Sequence, residues 1–140
     1  MRKSRKKGFT LVELMVVAVI VAILAAVAVP LMSANKKRAM ATEAEAAMGT
    51  IRTALRTMRA QTGAYNLDLN GGTLTAPVAP ATLPGIDTTD LAGRYWTQAM
   101  YSITALAAGS YTITATGTGS DVGGITLTLN EAGTWTRAGL

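Results

Sequence analysis

Residues 9–32 form an apolar run of 24 residues with one charged side chain, Glu13, and residues 14–32 carry no charge at all. As a helix rising about 1.5 Å per residue, those last 19 residues span roughly 28 Å, close to the hydrocarbon thickness of a bilayer. A core helix of a small domain keeps a polar face. This segment is apolar on every side, which marks it as membrane-inserted. Basic groups bracket it: Arg2, Lys3, Arg5, Lys6 and Lys7 before, Lys36, Lys37 and Arg38 after. The heavier cluster in front predicts a cytoplasmic N-terminus and export of the bulk of the chain. The run is longer than the apolar region of a secretory signal, about 7–15 residues. The sequence beyond it continues in helical register without a small-x-small cleavage site, so an uncleaved anchor, or a leader cut elsewhere, fits better.

The net charge of +5, from 13 basic and 8 acidic residues in 140, would by itself invite a nucleic-acid partner. Five of the basic groups lie within residues 2–7, and without them eight basic side chains face eight acidic ones. Nucleic acid is therefore not indicated. The chain has no Cys and no His, which excludes disulfide frameworks, thiolate zinc sites and His-dependent catalytic triads.

Glu13 is the anomaly. A carboxylate near a membrane core costs about 2.5–3.5 kcal/mol on insertion scales. Either it sits at the interface, where the penalty is small, or it meets a cation. Its own helix offers none before Lys36, so that cation would come from another chain.

Lys7-Gly8-Phe9-Thr10-Leu11-Val12-Glu13-Leu14, followed by the apolar stretch, resembles the processing site of type IV prepilins and of type II secretion pseudopilins. The resemblance implies cleavage between Gly8 and Phe9 by a prepilin peptidase on the cytoplasmic side. It also implies N-methylation of Phe9 by the same enzyme. Glu13 becomes the fifth residue of the mature chain, the position that in these families neutralises the N-terminal ammonium of a neighbouring subunit. Pro30 matches a proline common in the pilin helix, where loss of a backbone hydrogen bond kinks the helix. Ala22 departs from the family, since many major pilins carry a helix-loosening Gly there.

The residues divide accordingly into a cleaved basic leader (1–8), a transmembrane and filament-core half of the N-terminal helix (9–32), and an exported globular domain (33–140). From Met40 the helix turns amphipathic: Met40, Ala44, Ala47, Met48, Ile51, Leu55 and Met58 share a face, Thr50, Thr53 and Thr57 oppose them, and Arg52, Arg56 and Arg59 line a flank. Gly63 is the expected stop. Residues 63–94, with Asn70-Gly71-Gly72, Pro77, Pro80 and Pro84, read as an irregular loop. Beyond it, alternation predicts strands with Tyr101, Ile103 and Ala105, then Tyr111, Ile113 and Ala115, then Ile125, Leu127 and Leu129 on the inner face. A short fourth strand is expected at Trp135. The fold class is α+β: a pilin-like ladle whose long N-terminal helix packs on an antiparallel sheet of three to four strands.

Asp121, in a Gly-rich turn, invites comparison with the calcium sites of major pseudopilins. Hard cations want several oxygen ligands, so a plain turn is the better reading, and no metal or cofactor is expected. No Asp-Pro-Trp-Gly-like segment of the major pseudopilin sort is present, which tilts the comparison toward pilins. The exported carboxylates Asp68, Asp87, Asp90, Asp121 and Glu131 show no spacing that pairs them for acid–base work, so no enzymatic activity is expected. The resemblance implies a helical homo-oligomeric filament, with prepilin peptidase/methyltransferase and an inner-membrane assembly machinery as partners. The precursor would sit in the bacterial inner membrane as a single-pass protein. The product would be an extracellular pilus or, alternatively, a periplasmic pseudopilus, with a minor tip-located pilin as a further variant.

Overall fold

A computed structural model describes residues 8–140, with the backbone alone at position 30. The basic residues of the expected leader, 2–7, lie outside the described residues. Helix α1 (Leu11–Thr62) is followed by strands β1 (Tyr101–Leu106) and β2 (Tyr111–Thr116), a one-turn helix α2 (Gly119–Val122), and strands β3 (Thr126–Asn130) and β4 (Trp135–Ala138). Two short 3-10 turns, Pro80–Thr82 and Gln98–Met100, lie in the α1–β1 connection. The chain divides into two units, Met1–Asn35 and Lys36–Leu140.

In the first unit, every side chain described in residues 11–29 is exposed. The helical assignment continues through Pro30. Among the described residues, α1 is the one helix long and apolar enough to cross a membrane.

The second unit is an α+β domain. Its sheet is a plain antiparallel meander, order β1-β2-β3-β4. The expected fourth strand is real, pairing Leu129 with Trp135 and Thr126 with Ala138. Met40, Ala44, Met48, Ile51, Leu55 and Met58 of α1 are buried against the sheet's inner residues Tyr111, Ile113, Ala115, Leu127 and Leu129. Strands β2 and β3 contribute alternate residues to that layer because successive side chains point to opposite faces. Full burial of one such aliphatic side chain contributes about 1.5–3 kcal/mol. Gly63 ends α1 as expected: its φ of +86° is costly for any residue with a Cβ, and its N–H bonds the Arg59 carbonyl at 2.8 Å.

Strand β1 corrects the expected alternation. Ile103 pairs with Ile113 but Ala105 pairs with Thr112, so Thr104 is an extra, bulged residue. Past the bulge the faces exchange: Ala105 is exposed, and Leu106, opposite Tyr111, packs on the core. The turn between β2 and β3 likewise contains the short α2, whose Val122 is buried.

Residues 63–94 are irregular, as expected, yet they are anchored. Tyr65, Val78, Leu83, Ile86 and Leu91 join the core. Val78 exchanges two backbone hydrogen bonds with Ile103 at the open edge of β1, and Leu67 bridges Thr73. Beyond them, Trp96 is fully buried and its Nε1–H donates to the Met40 carbonyl at 2.9 Å. One oxygen of Glu43 accepts the backbone N–H groups of Tyr95 and Trp96, each at 3.0 Å. A Cβ at Gly93 would collide with that carboxylate. One helix carboxylate thus satisfies two donors of the segment entering β1.

Tyr101 and Tyr111 are buried; the Tyr101 hydroxyl has no hydrogen-bond partner, whereas the Tyr111 hydroxyl faces the Arg52 guanidinium. Burial raises the Tyr101 phenol well above the ordinary range, and the nearby Glu43 charge pushes it the same way. Burial also raises Tyr111, opposed by a hydrogen bond from Arg52 and by the charges of Arg52 and Arg56.

Candidate functional site

The N-terminal motif is built on the start of α1. Gly8 and Phe9 precede the helix, without regular secondary structure, and both are exposed, Phe9 at 84%. A Cβ at Gly8 would meet no atom within 4 Å, so nothing in the described residues requires a glycine there.

Thr10 and Glu13 form a reciprocal cap. The Thr10 hydroxyl oxygen accepts the Glu13 N–H at 3.2 Å, while one Glu13 carboxylate oxygen accepts the Thr10 N–H at 2.8 Å and the Thr10 hydroxyl at 2.9 Å. This is a capping box: two of the backbone donors that every helix start leaves unsatisfied are occupied by side-chain oxygens. A carboxylate in the first turn also faces the positive end of the helix dipole. The signature is legible as Thr-x-x-Glu in Thr10-Leu11-Val12-Glu13, although the charge of Glu13 alone points to the interface or to a cation rather than to a cap. Among the described residues no cation lies within 4 Å of Glu13, and its carboxylate is held on its own helix.

The remaining candidates lie elsewhere. Pro30 sits within the continuous helix. Asp121 is in α2, and its carboxylate faces the Lys36 ammonium at 3.6 Å with both side chains more than half exposed. Among the described residues, no group of three or more acidic side chains is placed to hold a metal ion. Lys37 donates to the Gly139 carbonyl at 3.1 Å, so two residues of the basic triplet after the apolar run tether the far end of the domain. Nothing in the sequence singled out those pairings, which span about 85 and 102 positions.

Residues 3–29 match the family described as the prokaryotic N-terminal methylation motif. The match takes in Gly8, Phe9, Thr10, Glu13 and most of the apolar run, and stops well short of the globular unit. No solved structure matches the chain. The chain carries a prepilin-type N-terminal methylation motif at the head of an apolar helix, consistent with a type IV pilin-like or pseudopilin protein.

Proposed function

We propose that the protein is a structural subunit of a type IV pilus-like filament. A prepilin peptidase would cut between Gly8 and Phe9 and methylate the new Phe9 terminus. An inner-membrane machinery would then assemble the subunits through the apolar half of α1. The observation that carries this reading is the methylation motif over residues 3–29 at the head of a helix whose side chains described in residues 11–29 are all exposed. The accessible Gly8–Phe9 bond supports it. So does a glycine that the described residues do not themselves require, since a bulky side chain there would obstruct a protease that binds extended backbone.

In this reading Glu13 changes partners. In the precursor it caps α1 through Thr10; in the filament it neutralises the Phe9 ammonium of a neighbouring subunit. The protein performs no chemistry of its own and needs no cofactor. A type II secretion pseudopilin uses the same N-terminal chemistry and is the second reading, favoured by the same motif.

Electron microscopy of sheared surface fibres, with mass spectrometry of their N-terminus, tests the proposal. Fibres whose subunit begins at methyl-Phe9 are expected. Full-length precursor as the only form in cells would overturn the processing, and correctly processed protein with a secretion defect but no surface fibres would favour the pseudopilus.

A further inference from the structure

The charges of the globular unit are unevenly used. Among the described residues only two ion pairs form, Lys36–Asp121 and Arg137–Glu45. Arg52, Arg56 and Arg59, on one flank of α1, have no carboxylate within 4 Å. Arg52 is half-buried, donating at 3.5 Å to the Glu131 carbonyl and facing the Tyr111 hydroxyl, while Arg59 lies over the Tyr65 ring at 4.7 Å and Arg56 is exposed. Asp87 and Asp90 are exposed and equally without a cation; one Asp90 oxygen caps the Asp87 N–H at 2.8 Å. Arg94, the cation of the same segment, is turned over the Tyr95 ring instead.

These unpaired groups occupy opposite flanks of the helix. The segment leading to Asp87 packs on the threonine flank, where Pro84, Gly85 and Ile86 line a cleft of about 280 Å³ with Thr50, Thr53, Ala54 and Thr57. The arginines lie on the other flank, where Arg52 reaches Glu131 and Gly133 in the β3–β4 turn. Apolar contact has little to offer on this unit's surface, where the large exposed hydrophobic residues described are Leu69 and Leu140.

We infer that the Arg52–Arg56–Arg59 flank is an interaction surface for a second copy of this chain, and that Asp87 and Asp90 of that copy are what it receives. Complementary patches on opposite flanks make a heterologous contact, which repeats in one direction rather than closing into a dimer. A filament has that symmetry, so the inference rests on the proposed function and supplies it with a lateral contact outside the apolar helix. Complementary charge sets the register of such a contact, and like charges placed in it disfavour it strongly.

Charge reversal tests it in cells that make fibres with the unaltered chain. Arg56→Glu with Arg59→Glu should lower fibre yield roughly tenfold, Asp87→Arg should do the same, and the combined variant should recover most of the yield. The chain has no native cysteine, so Arg56→Cys with Asp87→Cys gives an independent measurement: oxidised fibres should yield a ladder of covalent multimers. Undiminished fibres from both reversals, a combined variant no better than either parent, or fibres without cross-links would each overturn the inference. Absence of fibres from the unaltered chain would sink the filament itself, a separable result.

Discussion

The two units of this chain solve the problem of apolar surface in opposite ways. In residues 11–29 every described side chain is exposed, Val, Leu and Ile included. In the unit Lys36–Leu140 the same residue types are stacked between α1 and a four-stranded sheet, and no charged side chain is fully buried with them. The second unit buries its apolar side chains within itself, whereas those described in residues 11–29 are left uncovered. Stability of one is a property of the sequence, and stability of the other belongs to its surroundings.

The sharpest way to break that contrast is a matched pair of truncations. Leu55→Ala opens a cavity in the core and should destabilise the globular unit by about 2–5 kcal/mol, whereas Leu24→Ala should leave it within roughly 0.5 kcal/mol of the parent. Fluorescence of buried Trp96 during denaturant unfolding of the detergent-solubilised chain reads both. Equal losses would mean that the two units fold as one.

Alkaline pH probes the second unit through its two buried phenols. Tyr101 and Tyr111 have phenols raised by burial, so the unfolded chain releases their protons near pH 10 while the folded chain retains them. The stability they contribute is fully present below pH 10 and is lost as pH rises toward their folded values. The unfolding midpoint should therefore fall from pH 9 to pH 11, and Tyr101→Phe should flatten the decline. A midpoint independent of pH over that range would contradict the burial of both hydroxyls.

Thr10→Ala is the smallest of the three and is confined to the first unit. Removing the cap should weaken the start of α1 by about 1 kcal/mol, visible as faster amide hydrogen exchange over residues 11–14 in micelles. Trp96 unfolding should not move. An unchanged exchange rate would show that the Thr10–Glu13 box does not hold the helix end.

What was legible in the sequence follows the range of the forces involved. Periodicity found α1, its change from apolar to amphipathic after Met40, and the inner faces of β2 and β3, because burial imposes a repeat on neighbouring residues. It failed at Ala105, where one bulged residue exchanged the faces of β1 without leaving a mark in the composition. The Thr-x-x-Glu cap was readable but was eclipsed by the charge anomaly of Glu13. Glu43 and Trp96 were out of reach, since they meet across more than 50 positions and resemble any helix acid and any core aromatic.

The Lys37 hydrogen bond to the Gly139 carbonyl brings positions 37 and 139 of the globular unit side by side. Positions close to one another at the surface in this way are ones where domains accept insertion and circular permutation. A label or foreign domain fused after Leu140 would emerge beside Lys37, on the opposite side of the sequence but next to it in space.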